Sequence, residues 1–179
     1  MKLAPIRRLV FGLLFGLSTT VWAQFAAEDP DWKESDAPPP PSFDVGKLVQ
    51  FEVSSTSSLV YGVDPASIRI SQRDGLVRYV VVARSSSGVF NALYEVINCS
   101  KGEMKTYARI VGKESDTETK KWVAVQDPQW KSMYDIPSKH ALVLAKQGVC
   151  TGNTAAQTVS EIVTSLKKTT IVFKNKAAP

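Results

Sequence analysis

Residues 73–111 constrain this chain more than any other stretch. They read as three strand-forming runs, 76–84, 89–99 and 104–111, separated by two four-residue turn signals at 85–88 and 100–103. β-Branched residues dominate the first run, and Asp74-Gly75 and a serine-glycine cluster supply turn chemistry at its ends. Apolar residues occupy both parities in its middle, so it is expected as an interior strand covered on both faces. Side chains alternate between faces, and a one-residue slip in pairing would exchange them all.

An even loop at 85–88 sets Arg84 opposite Val89, Arg78 opposite Glu95 and Leu76 opposite Ile97. The second turn sets Cys99 opposite Met104 and Glu95 opposite Ala108. One face then collects Leu76, Arg78, Val80, Val82, Leu93, Glu95, Ile97, Cys99, Met104, Ala108 and Ile110. Arg78 and Glu95 become a structural ion pair among aliphatic side chains. Such a pair either fixes register, contributing about 0.2–1 kcal/mol, or presents an arginine to a ligand at the end of a pocket. An odd loop would instead set Glu95 opposite Val77 or Tyr79 and break the pair.

Residues 1–23 read as a secretory signal. Lys2, Arg7 and Arg8 give the positive start, 9–17 the short apolar run, and Val21-Trp22-Ala23 a small-x-small cleavage site before Gln24. The apolar run is short for a bilayer span, and no second one follows, so no transmembrane helix is expected. With no cysteine at the cleavage site, a lipid anchor is not expected. The whole chain carries 22 basic and 17 acidic residues, and removing the three signal charges lowers the net from +5 to +2. Nucleic-acid binding thereby loses its compositional support. Cys99 and Cys150 both follow the signal. In an oxidising compartment an even count favours a disulfide; two buried free thiols are the alternative. A bond would lay the intervening helical segment over the face that carries Cys99.

Residues 24–43 are acidic, with proline at 38–41, and are expected as a disordered leader or tether. Trp32 is its one anchoring side chain. A single globular domain is expected over 44–173, with 174–179 a frayed tail. Within it, 47–54 alternates as a half-buried strand, and 59–62 and 67–71 are short strands around an Asp64-Pro65 turn. Residues 112–121 read as an exposed loop and 122–125 as a short strand. Ser138 is placed to cap a helix over 139–147 that Gly148 ends. Thr154 and Gln157 have capping-box spacing ahead of a second helix to about residue 168. Val159, Ile162, Val163 and Leu166 form its apolar stripe. Residues 169–173 are expected as a final edge strand. The expected fold class is α+β: one antiparallel sheet of about five to seven strands, with two carboxy-terminal helices packed on one face.

The chemistry open to the chain is narrow. His140 is its only histidine, and neither His-x-x-x-His nor Cys-x-x-Cys spacing occurs, so no metal or cofactor site is expected. A serine hydrolase would need a serine and an acid to converge on His140; otherwise His140 is a surface or capping residue. Trp122, Trp130 and Tyr134 are the candidate binding feature, flat aromatics able to stack on a sugar or grip a peptide. Their alternative role is to cover the sheet edge under a long loop.

Several stretches together resemble the cryptic neisserial protein (CNP-one-like) family of small exported envelope proteins. They are Asp31-Trp32 with Glu34, the prolines before Phe43, Val63-Asp64-Pro65-Ala66-Ser67-Ile68, Asp74-Gly75-Leu76-Val77-Arg78-Tyr79-Val80, Ala83-Arg84-Ser85, Glu95 with Cys99, Tyr107-Ala108, Trp122 and Cys150. Where Val96 and Asn98 stand here, the family pattern usually has glycine and arginine. The resemblance implies an exported protein and supplies no catalytic residues. The expected function is a non-enzymatic interaction or scaffold module of the periplasm or cell envelope, acting on an envelope protein or ligand not named by the sequence. A small-ligand or glycan-binding module using the aromatic loop is the alternative, and a hydrolase around His140 the third reading.

Overall fold

A computed structural model describes residues 31–113 and 121–176, with side chains described to residue 170 of the last helix. The expected signal, the start of the leader, most of the 112–121 loop and the last three residues lie outside the described residues. Contacts divide the chain into Met1–Trp32 and Lys33–Pro179, and the architecture below is that of the second unit.

Its centre is the expected meander: β4 (Leu76–Arg84), β5 (Val89–Asn98) and β6 (Glu103–Lys113), paired antiparallel. β1 (Val49–Phe51) and β2 (Val60–Val63) extend the sheet beyond β4, and β3 (Arg69–Ile70) pairs with the start of β4. On the far side, β7 (Val123–Ala124) and β8 (Lys131–Ser132) pair with different parts of β6, giving an antiparallel sheet of eight strands. The helical layer follows. α1 (His140–Leu144) runs into a π-turn at Ala145–Val149 and then a small hairpin of β9 (Cys150–Thr151) and β10 (Thr154–Ala155). α2 (Val159–Lys176) closes the chain. The fold class is α+β, as the periodicities imply.

β4 is covered on both faces, and every residue from Leu76 to Ala83 is buried. On one face Val77, Tyr79, Val81, Ile97, Cys99 and Met104 pack against Ala141, Leu144, Val149, Ile162 and Leu166 of the helical layer. On the other, Val80, Val82, Phe90, Ala92, Tyr94, Ala108 and Ile110 pack beneath Phe43, Leu48, Tyr107 and Trp122. The Cys99–Cys150 disulfide spans a sequence separation of 51 residues with the Cα atoms 5.7 Å apart, and it ties β5 to the helical layer.

The expected register of the first hairpin is corrected. Arg78 stands opposite Val96, and Tyr79 opposite Glu95. Ser85 donates its N–H to Val89 O at 2.8 Å, and Gly88 has φ 79°. A glycine in the left-handed region completes a three-residue loop with a bulge, so the loop is odd and the Arg78–Glu95 pair does not form. The even-numbered side chains of β4 therefore face away from the helices. In the pairing of β5 with β6 the register shifts between Tyr94 and Glu95. The extra residue of that bulge, Tyr107, sends Ala108 and Ile110 to the face opposite the one expected.

Three further expectations change. Residues 169–173 form no edge strand but continue α2, because the Ile162 and Leu166 stripe has already committed that segment to helix. The capping box is Thr158 with Glu161, not Thr154 with Gln157: Thr158 Oγ1 accepts from the Glu161 N–H at 3.2 Å, and Glu161 Oε2 accepts from the Thr158 N–H at 3.3 Å. Ser138 makes no cap for α1, whose N-cap position is Lys139 without a side-chain bond.

Residues 33–43 were expected within the disordered leader, yet they form an extended strap held to the sheet face opposite the helices. Glu34 bonds Lys105 Nζ and Tyr107 OH, the Ser35 N–H reaches Asp74 Oδ2 at 3.0 Å, and Pro41 O accepts from Trp122 Nε1 at 3.2 Å. Phe43 packs edge-on to Phe90, with ring centroids 6.1 Å apart. Composition alone hides this, because the strap adds no core of its own and completes one already built by β4–β6.

Candidate functional site

The sheet carries a buried polar network on each face. On the helical face the centre is Glu95, 1% exposed. Its Oε2 accepts from His140 Nε2 at 2.8 Å and from Tyr79 OH at 3.2 Å, and its Oε1 accepts from Thr106 Oγ1 at 3.1 Å. β5 places Glu95 and the adjoining strands place Tyr79 and Thr106, while α1 lowers His140 onto it from above. The far nitrogen of the ring, Nδ1, shares a 2.8 Å hydrogen bond with Ser138 Oγ. Tyr61 stacks on the imidazole, centroids 6.0 Å apart and planes 9° apart, with its hydroxyl 3.5 Å from Ser138 Oγ.

Burial disfavours the charged imidazolium, but the Glu95 carboxylate and its hydrogen bond outweigh that and raise the His140 pKa above the ordinary histidine value. Tyr79 is pushed well above the usual tyrosine range by burial, then by the Glu95 charge and hydrogen bond. The serine and the acid that a hydrolase would need do meet at His140. Ser138 Oγ meets one ring nitrogen and the Glu95 carboxylate the other, and that carboxylate strengthens the hold of His140 on its proton. Glu95 accepts from Tyr79, Thr106 and His140, and His140 is 5% exposed and lidded by Tyr61. The arrangement locks α1 to the sheet.

On the opposite face Arg78, 3% exposed, donates to Asp74 Oδ2 at 2.9 Å and to Ser35 O at 3.0 Å. Burial works to raise the Asp74 pKa, but hydrogen bonds from Arg78, Ser71 and the Ser35 and Leu76 N–H groups hold it far below the usual carboxylate range. Beside this pair Glu34 bridges Lys105 and Tyr107. Lys105 Nζ also sits 4.6 Å from the Trp130 ring centroid and 5.3 Å from that of Tyr107. Burial and the Glu34 carboxylate raise the Tyr107 pKa beyond the ordinary tyrosine value.

The CNP1-like family model matches residues 27–167. The chain belongs to the CNP1-like family. No curated protein and no solved structure matches it. Several of the residues that carry the resemblance lie in the two networks and the staple of this CNP1-like chain. Glu34, Asp74, Arg78 and Tyr107 hold the strap, Tyr79 and Glu95 hold His140, and Cys99 and Cys150 tie the layers.

The aromatic candidates of this CNP1-like chain each have their own neighbours. Trp122 is half-buried against Phe43 and Tyr94, with centroids 5.6 and 6.4 Å away. Trp130 is half-buried beneath Lys105, and Tyr134 is 60% exposed beside the Gly102 turn. Trp32 is half-buried and belongs to the amino-terminal unit. Among the described residues no cluster of metal-ligating side chains occurs, and no helix is long and apolar enough to cross a membrane. Sequence reasoning missed Ser138 and Tyr61 as neighbours of His140 and Lys105 as the partner of Glu34. Ser138-x-His140 was visible as a spacing, but its acid lies 45 residues upstream and was assigned to Arg78.

Proposed function

We propose that this CNP1-like protein is an exported, non-enzymatic interaction module of the cell envelope, whose acidic leader is rooted on the folded body by the strap. The observation that carries this reading is the anchoring of Glu34 by Lys105 and Tyr107. A carboxylate from outside the meander neutralises a buried lysine, so the root of the leader is fixed while residues 24–30 precede it in sequence as an acidic interaction segment. The secretory signal pattern and the disulfide support export into an oxidising compartment. The buried His140, bonded to Glu95 and covered by Tyr61, supports a structural part for the Ser138–His140–Glu95 line.

Two measurements test the reading. Deleting residues 24–32 from the exported protein, with the strap kept, is expected to abolish co-purification of its envelope partners without lowering the melting temperature. Partners retained in full would refute the leader's role. Exposure of the intact protein to a serine-directed fluorophosphonate is expected to leave Ser138 unmodified. A Ser138 adduct that disappears in His140→Gln would overturn the non-enzymatic assignment.

A further inference from the structure

A groove of about 800 Å³ opens between α2 and the first edge of the sheet, on ground that neither polar network uses. Its walls are Leu48, Val49, Pro65 and Val163, and Lys47 and Lys167 also line it. All four apolar side chains are half-buried, so each leaves part of its surface to the groove. Val163 belongs to the apolar stripe of α2, on which Ile162 and Leu166 are fully buried while Val159 and Val163 are half-buried. The groove falls in the size range of small-ligand sites, which are mostly apolar with a few placed polar groups.

The charges that border it are chiefly cationic. Lys47 is 79% exposed at its side chain and pairs with Asp44 at 3.3 Å. Lys167 projects from α2, one turn after Val163, and is exposed. The Lys47 charge is already shared with Asp44, so Lys167 is the charge that a neutral ligand would leave unanswered, and a cationic ligand would be repelled there. An amphiphile with a single anionic head satisfies both parts, its chain along Leu48, Val49 and Val163 and its head between the lysines.

We propose that this groove is a binding site for a long-chain carboxylate, held by its apolar chain between β1 and α2 and by its head group at Lys47 and Lys167. The site stands apart from the strap and the leader, so its failure would leave the interaction reading intact.

The probe is dodecanoate below its micelle concentration, titrated calorimetrically into the signal-free protein with its disulfide formed. Dodecyltrimethylammonium supplies the same chain with the opposite charge, and dodecanol the same chain with none. The expected result is one dodecanoate per chain, and weaker binding by both comparators. Lys47→Glu/Lys167→Glu, two exposed changes, is expected to lower dodecanoate affinity about tenfold or more with an unchanged melting temperature. Methyl resonances of Leu48, Val49 and Val163 are expected to shift together on titration. Binding undiminished by the double charge reversal would overturn the proposal, as would equal binding of the cationic amphiphile. Shifts confined to other methyls, or a self-association that buries the groove in sedimentation, would overturn it as well.

Discussion

His140 Nε2 lies 2.8 Å from Glu95 Oε2, with side-chain exposures of 7% and 1%. The pair joins α1 to β5 at the middle of the sheet and replaces the Arg78–Glu95 partnership that the sequence suggests. Removing one member strands the other in the core. Glu95→Ala is expected to cost about 3–5 kcal/mol, read from urea unfolding. Glu95→Gln, which still accepts a hydrogen bond, should cost less. Equal losses would mean that charge does not matter here.

The same pair fixes a pH dependence. The folded-state pKa of His140 lies above its unfolded value of 6.5, so the pair's contribution is complete below that value. It is lost as pH rises through the folded-state pKa. The urea midpoint is expected to fall over this step, and His140→Gln should flatten it. A midpoint that rises instead would show that the histidine is neutral in the native protein.

The disulfide closes a ring set by a separation of 51 residues. Reduction, or Cys99→Ala with Cys150→Ala, is expected to lower stability by about 4 kcal/mol through the entropy restored to the unfolded chain. Chemical unfolding with and without a reductant measures this directly. A loss under about 1 kcal/mol would show that the helical layer holds to the sheet without its staple.

Glu34→Ala is expected to cost about 1–3 kcal/mol, because Lys105 stays buried without its carboxylate. Trypsin should then cut faster after the neighbouring Lys33. Glu34→Leu with Lys105→Met should recover much of the stability, since both ends of the pair are then apolar. A strap that Glu34→Ala leaves equally resistant is not held by charge.

Two glycines separate backbone strain from steric overlap. Gly152 has φ 61° and open space where a Cβ would stand, whereas Gly148 has φ 134° and would place a Cβ 2.6 Å from Ser165 Cβ. Gly152→Ala is expected to cost about 1 kcal/mol, from the left-handed conformation alone. Gly148→Ala should cost about 3 kcal/mol or more. In a double-mutant cycle Ser165→Gly should return part of that excess. Equal costs at the two positions would mean that α2 yields freely.

How far the site was legible depended on sequence distance. The 76–84 and 89–98 runs declare themselves because a doubly covered strand needs apolar residues on both parities, and Thr158 with Glu161 repeats the expected capping-box spacing four residues further on. The loop at 85–88 was misjudged by one residue, because a serine-glycine turn accommodates either loop length until Gly88 takes a positive φ. That single residue moved Arg78 from Glu95 to Asp74. The strap was missed for a different reason: its proline-rich stretch makes no ladder, and its anchors, Lys105 and Tyr107, lie more than seventy residues away.

By itself the sequence determined the local grammar: an α+β chain, a β-meander, two helical stretches, and cysteines placed to staple them. The strands, turns and helices depend on neighbours within a few positions, where alternation, turn chemistry and capping act, and the staple on an even cysteine count. Tertiary structure alone decided which face each charge occupies, that His140 answers Glu95, and that Glu34 answers Lys105. A buried charge is settled by whatever partner the packed fold brings within about 3 Å, and that choice turns on one-residue details of loop and bulge.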